Sequence, residues 1–230
     1  MGVVQNLKLS CDNCMAMDHS ILKVISSENM KLLDSVKHCI IYKAETDILT
    51  QGTQVRGVYC INSGKIKIYK SSGSGKEQII RFAKKGDLLG YRTLIANHKL
   101  GVSAKTIEEC SVCFIEREDF LKMMVEAPQL REWLMEELSE DLAEMVEALT
   151  TMAHRSVRSR LCGALLVLEE LYEGEPINLT RENLANFVGT AKESVIRLLS
   201  EMKSEGLIQI AGRKITVINR VLIKTATQFS

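Results

Sequence analysis

The chain has 230 residues, with 30 Lys+Arg against 29 Asp+Glu, 46% hydrophobic and 26% charged. This is the size of one large domain or two small ones; it is too apolar for global disorder, and no apolar run approaches the ~18 residues of a membrane span. Seven cysteines, an odd number, without a basic-then-apolar export signal at the N-terminus, predict reduced thiols in the cytoplasm.

The near-neutral total conceals segments of unlike charge. Residues 1–115 carry 16 basic and 10 acidic side chains, residues 116–153 carry 3 and 11, and residues 154–230 carry 11 and 8. An acidic middle separates two mildly basic ends.

From about residue 40 to residue 115 the pattern is β. Glycines at 52, 57, 64, 73, 75, 86, 90 and 101 punctuate short β-branched runs. Residues 58–62 and 65–69 alternate at period two around Ser63-Gly64, which predicts a hairpin, and residues 78–82 and 110–115 are further strands. Many short strands separated by glycine imply a sandwich or barrel-like roll, with helices flanking it.

A long helix follows. Met135, Leu138, Leu142, Met145, Leu149 and Met152 recur at alternating spacings of three and four, an a/d seam, between the solvated Glu136, Glu137, Glu140, Asp141, Glu144 and Glu147. A stripe this narrow predicts parallel pairing of two copies, a homodimer; the alternative is a helix packed on its own domain.

Residues 158–171 are again helical, ending near Gly174-Glu175-Pro176. Thr180 is placed to cap a short helix over 181–188, and Gly189 permits a tight turn. Thr190-Ala-Lys-Glu193 has the pattern of a capping box opening a second helix, with Val195, Leu198, Leu199 and Met202 apolar. Residues 207–210 and 214–218 flank Ala211-Gly-Arg213 as a β-hairpin. Two helices, a glycine turn and a hairpin make a winged helix-turn-helix.

The chemistry of DNA reading fits the second of these helices. Glu193 and Arg197 are four apart and share a face. An Arg can donate two bonds to guanine, and a carboxylate can accept from cytosine. Thr180, Thr190, Lys192, Ser194, Arg213 and Lys214 complete the candidate DNA-binding set, since hydroxyls and cations near a helix N-terminus and a wing suit phosphate. A surface Glu–Arg ion pair is the competing reading of the same spacing.

Residues 179–208, LTRENLANFVGTAKESVIRLLSEMKSEGLI, resemble the helix-turn-helix of the CRP/FNR family of bacterial transcription regulators, and Gly86-Asp-Leu-Leu-Gly90 resembles the glycine cassette of that family's roll. The resemblance implies an α+β chain in three parts. Residues 1–117 would be an N-terminal segment and β-roll sensor, a cyclic-nucleotide-binding-like double-stranded β-helix. Residues 118–153 would be the dimerisation helix region, and residues 154–230 the winged helix-turn-helix. It further implies that Glu193 and Arg197 read a palindromic half-site, with RNA polymerase a further partner if the protein activates. Lys192 and Ile196 stand at positions that vary between branches of the family.

The resemblance also frames the signal. The cassette and its surroundings, Gly86, Asp87, Gly90, Tyr91, Arg92, His98 and Lys99, are the candidate effector pocket. Tyr91 stands where the nucleotide-binding branch has its ribose-binding Glu, and His98-Lys99 where it has its phosphate-binding Arg pair. The missing bidentate Arg fork argues against a cyclic nucleotide. The FNR-like branch fits more closely: Cys11, Cys14 and Cys113 fall on three of its four cluster-cysteine positions, with His19 or Cys110 as fourth ligand. An iron–sulfur cluster, a reversible thiol switch, an unidentified small effector and plain thiols all stay open. Cys39, Cys60 and Cys162 lie in apolar runs and are read as core packing, and His38, His98 and His154 lack the second ligand a haem would need.

No Ser-His-Asp, paired-carboxylate or phosphate-loop constellation is present, so the chain is not expected to be an enzyme. The expectation is a dimeric, sequence-specific transcription regulator that senses a redox signal. A protein-binding module without DNA specificity would account for the roll but not for the helix-turn-helix.

Overall fold

The computed structural model describes residues 3–7, 9–11, 14, 16, 25–73 and 75–227, the first of these stretches as backbone. The chain divides into two compact units, one of residues 1–76 and 80–142, the other of residues 77–79 and 143–230.

The first unit opens with β1 (Val3–Leu7), α1 (Ser27–Val36), β2 (His38–Tyr42) and β3 (Asp47–Leu49). There follow β4 (Gly57–Ser63), β5 (Ile66–Ser71), β6 (Glu77–Ala83), β7 (Leu88–Leu89), α2 (Tyr91–Ala96), β8 (Ser103–Thr106) and β9 (Cys110–Glu116). The strands form two sheets, in the orders β1-β2-β9-β4-β7 and β3-β8-β5-β6. Val58, Ile61, Ile66, Leu94 and Ile115 fill the core. Helices α3 (Arg117–Glu126) and α4 (Pro128–His154) then bury Phe120, Met123, Leu130 and Leu134 in the same core. Pro128 suits the first turn of α4, where its missing N–H has no helical partner to lose.

The alternating runs on either side of Ser63-Gly64 do form strands, but not a hairpin. β4 pairs with β9 and β7, while β5 lies in the other sheet against β8 and β6. Residues 63–65 therefore carry the chain from one sheet to the other. Period two marks a strand but not its partner, and both strands find partners elsewhere. Gly64 makes the crossing with φ at +89°, and a Cβ there would stand 2.5 Å from the Cys110 sulfur and the Glu109 carbonyl. Gly64→Ala is expected to destabilise the first unit by more than about 1 kcal/mol, read as a lower urea midpoint at unchanged slope.

In the second unit α5 (Val157–Leu171) buries Leu161, Leu165 and Leu168 completely. Ser156 caps it, its hydroxyl accepting from the Ser159 N–H at 3.2 Å. Helix α6 (Arg181–Val188) is capped as its sequence predicts, Thr180 Oγ1 accepting from the Asn183 N–H at 3.0 Å. Gly189, at φ +72°, turns the chain into α7 (Lys192–Ser204). The apolar faces of the pair close on one another through Leu184, Val188, Val195, Leu198, Leu199 and Met202, all buried. β10 (Ile208–Ala211) and β11 (Lys214–Val217) form the expected hairpin, and α8 (Arg220–Ala226), unmarked in the sequence reading, packs on α5.

The capping box at Thr190 does not form. Helix α7 begins one residue later than the box requires, with Ala191 at the cap and no side-chain cap bond. Glu193 is thereby relieved of a capping role and stands exposed in the first turn.

Candidate functional site

The candidate DNA-binding residues all belong to the second unit. Lys192, Glu193 and Arg197 are exposed on α7, and Ser194 is half-buried behind them. Arg197 does not pair with Glu193; its Nη1 donates to Glu201 Oε1 at 2.6 Å, one turn further along. Lys192 lies 3.9 Å from Glu182 of α6. Ion pairs this exposed are worth about 0–1 kcal/mol, so both cations can exchange a carboxylate for a phosphate or a base edge at little cost.

The wing is held beside these helices by a residue the sequence reading passed over. Arg181, at the start of α6, donates from Nη1 to the Arg213 carbonyl at 3.0 Å and from Nη2 to the Gly212 carbonyl at 3.4 Å. Arg213 in turn reaches the Asn178 carbonyl at 3.4 Å. Thr180, Arg181, Lys192 and Arg213, with Glu182 and Gly212, line a shallow concavity between the helix N-termini and the wing. Partial burial and the nearby Arg213 charge lower the Arg181 pKa, yet a guanidinium keeps its proton at neutral pH. Lys214 opens β11 and is exposed. Thr190, half-buried in the turn, is left with its hydroxyl outside the helix cap.

In the roll, the effector candidates are engaged by the protein itself. Gly86 and Gly90 adopt positive φ, and Asp87 accepts from the Lys84 N–H at 3.0 Å and pairs with Arg81. Tyr91 is buried, and its hydroxyl donates to Asp141 of α4 at 3.2 Å. Arg92 forms an ion pair with the same carboxylate and donates from Nε to the Tyr91 oxygen at 3.3 Å. His98 and Lys99 are exposed on the loop after α2, Lys99 bridging to Gln54. Tyr91 and Arg92 thus couple the cassette to the seam helix one residue before Leu142.

The seam itself is open in the single chain. Met135, Leu142 and Leu149 are 68%, 64% and 72% exposed, and Leu138 and Met145 are exposed beside them. Met152, the last member, differs: its sulfur lies 2.9 Å from Arg160 Nη1 and its methyl group lies against Gly189.

The cysteines are not arranged as the sequence reading has them. Cys39 and Cys113 face each other across β2 and β9 and are joined by a disulfide, so these two are neither free thiols nor plain core residues. Cys60, on β4, is the direct partner of Cys113 on its other side. Cys39, Cys113 and Cys60 therefore form one row across three neighbouring strands, on one face of the sheet. Cys11 and Cys14 pack in the same core cluster as this row. The Cys11 N–H donates to Asp34 Oδ1 at 2.7 Å, Lys37 Nζ donates to Cys11 Sγ at 2.8 Å, and Cys14 Sγ donates to Asn62 Oδ1 at 3.1 Å. Burial pushes the Cys11 thiol up against the opposing pull of Lys37. Cys60 is pushed up to about 12, first by burial and then by the charges of Cys14 and Cys11.

Cys110 is not a member of this group. Three residues from Cys113 along a strand, it points to the opposite face, where its sulfur lies 3.4 Å from the Lys65 and Glu108 carbonyls. That geometry removes it as a co-ligand of Cys113. His19, the other candidate, lies outside the described residues. No three His, Cys, Asp or Glu side chains among the described residues stand in metal-ligating geometry. The donor set is nonetheless all sulfur, which in kind fits an iron–sulfur cluster or another thiophilic metal once the disulfide is reduced.

Comparison with known proteins agrees with this architecture. Residues 40–127 match the cyclic nucleotide-binding domain, and residues 159–224 match the Crp-like helix-turn-helix domain. The regulatory protein HlyX of Actinobacillus pleuropneumoniae is 27% identical over 93% of this chain and 91% of its own. The fumarate and nitrate reduction regulatory protein of Escherichia coli K12 is 24% identical over 92% and 87%. Among solved structures, a Eubacterium rectale regulator assigned to the CRP/FNR family superposes with a TM-score of 0.75 at 18% identity, covering 91% of this chain and 98% of its own. FixK2 from Bradyrhizobium japonicum superposes at 0.73 and 21% identity, covering 83% and 97%. A cyclic-nucleotide-binding-type roll, a long connecting helix and a Crp-like helix-turn-helix, in that order, place this chain in the CRP/FNR family of DNA-binding transcription regulators, a family of regulators and not of enzymes.

Proposed function

We propose that the protein acts as a homodimer that reads palindromic duplex DNA with two copies of α7, and that the redox state of thiols in the roll sets how well it reads. The observation that carries this is the exposed seam of α4. An apolar stripe of this length on a single chain is a surface awaiting a partner, and its a/d spacing suits a second copy of itself. Pairing through a parallel seam presents two recognition helices to successive major grooves, about one helical turn apart.

Two further features support a redox signal. Relatives of the chain carry the names anaerobic regulatory protein and fumarate and nitrate reduction regulatory protein. The cysteine row and the Cys11–Cys14 turn bring sulfur chemistry to β9, at the centre of its sheet. Reduced Cys11, Cys14 and Cys113 are the residues that would hold an iron–sulfur cluster, which supplies a redox-active centre when bound. Tyr91 and Arg92 then join the roll to α4 through Asp141, so a change of packing in the roll has a route to the seam.

The test is fluorescence anisotropy on a palindrome selected from random duplexes, with the protein either reduced under anaerobic conditions or air-oxidised. Six to ten phosphate contacts would lower affinity by ~10³–10⁵ between roughly 50 and 200 mM salt. The two redox states are expected to differ about 5- to 150-fold on the selected site. Equal affinity for selected and scrambled duplexes would remove specific reading, and equal affinity in the two states would remove the redox signal.

A further inference from the structure

Met152 ends the apolar seam with a cation on its sulfur. Arg160 of α5 brings Nη1 to 2.9 Å from the Met152 Sδ, and the Arg160 Nε is buried with no acceptor among the described residues. A thioether is a weak acceptor, whereas a guanidinium is always charged and carries five N–H donors. Leaving such a donor buried without a partner is costly, so this guanidinium has more to give than the thioether can take. The same sulfur and its methyl group lie against the helix-turn-helix: a Cβ at Gly189, the turn into α7, would stand 3.2 Å from both. Met152 is 40% exposed and so open to a small oxidant. All three residues belong to the second unit.

We infer that Met152 is a site of reversible oxidation to the sulfoxide by peroxide, that Arg160 receives the new oxygen, and that oxidation loosens the end of α4 from the turn into the reading helix. A sulfoxide oxygen is a strong acceptor, and Arg160 Nη1 already stands beside the sulfur that would carry it, with Nε in the same planar fork. The close approach at Gly189 leaves little room for an added oxygen on that side. Oxidation also turns a flexible apolar side chain into a polar one, so the contact with the turn and the last apolar member of the seam are lost together. The site is separate from the thiols proposed above: it takes its oxidant at a thioether and forms no disulfide.

The step balances with hydrogen peroxide as the oxidant. A sulfur lone pair attacks one peroxide oxygen, an S–O bond forms and the O–O bond breaks. The departing hydroxide takes the proton left on the transferred oxygen and leaves as water. Sulfur is oxidised by two electrons and peroxide is reduced by two. A donor beside the sulfur can hold the oxygen as charge builds on it, so Arg160 should speed the step as well as bind its product.

The experiment treats the full chain with hydrogen peroxide and follows sulfoxide at each methionine by peptide mass spectrometry. Met135 serves as the internal standard, being 68% exposed on the same seam. Replacing Arg160 by Leu is expected to slow oxidation of Met152 relative to Met135 by about 2- to 12-fold, the span that one net hydrogen bond gives. In a second arm the oxidised protein is treated with dithiothreitol, which reverses disulfides and sulfenic acids but leaves sulfoxide, and binding to the selected palindrome is measured. Wild type is expected to lose about 5-fold or more in affinity and to regain it with methionine sulfoxide reductase. Met152→Leu should bind equally well before and after peroxide, and Met152→Gln, whose amide oxygen stands in for the oxide, should bind weakly without it.

An unchanged ratio of Met152 to Met135 oxidation in Arg160→Leu would overturn the role of Arg160. A Met152→Leu protein that loses as much affinity to peroxide as wild type would overturn the role of Met152, whatever the folding of the Arg160 variant. The peptide arm involves no DNA, so its failure is distinct from a failure of palindrome reading.

Discussion

Replacing Leu142 by glutamate is expected to leave a folded monomer that no longer holds a palindromic site. The side chain is 64% exposed in the single chain, so the substitution disturbs little within it. In a paired seam it would place two carboxylates face to face beside Asp141 and Glu144, with no cation on the seam to offset them. Charges buried without partners cost several kcal/mol, enough to dissociate a pair that rests on one apolar stripe. Sedimentation should show the mass of one chain. Affinity for the palindrome should fall by ~10²–10⁴ because the second half-site no longer binds as part of the same molecule. Thermal unfolding of the roll should barely move. A variant that stays dimeric at micromolar concentration would show that this seam does not hold the copies together.

Arg197→Ala is expected to act on sequence reading and on almost nothing else. Its guanidinium is two-thirds exposed and pairs with Glu201 on the same helix, so the fold loses little. On the selected site, loss of a bidentate contact to guanine should cost ~1–3 kcal/mol, about a 5- to 150-fold loss of affinity. On scrambled duplex the change should be small. An equal loss on both would mean that Arg197 touches only phosphate. Glu201→Gln provides the converse: it releases Arg197 from its intrachain partner, and affinity for the selected site should hold or rise slightly.

The local signals of this chain are legible along its length for one reason. Helix and strand periodicities repeat every 3.6 and 2 residues, so a dozen residues suffice to show them. The spacing from Met135 to Met152 marks a helix with an apolar edge, and α4 has it. Thr180, Gly189 and the apolar positions of residues 184–202 set out two helices and a turn, and α6 and α7 follow them. Even there a local rule can be overruled: the box at Thr190 reads well, yet the αL turn at Gly189 delivers the chain one residue past it.

Sheet partners carry no such local mark. Residues on either side of Gly64 alternate as a hairpin should, but β4 pairs with β9 and β5 with β8, partners that lie far along the chain. The cysteines show the same limit most sharply. Cys39 and Cys60 sit in apolar runs and read as small core residues, while Cys110, close to Cys113 in the chain, reads as its companion. Strand alternation turns Cys110 to the other face, and register brings Cys39 from 74 residues away into contact with Cys113. Tyr91 likewise reads as a pocket residue until folding sets its hydroxyl against Asp141. The order of the parts, the two helices of the helix-turn-helix and the apolar edge of α4 were therefore legible in the sequence alone, because each depends on neighbours within a few turns of chain. Which sulfurs meet, and what the roll grips on α4, were decided only by tertiary structure, because cross-strand register and helix docking join residues whose separation in the chain bears no relation to their distance in space.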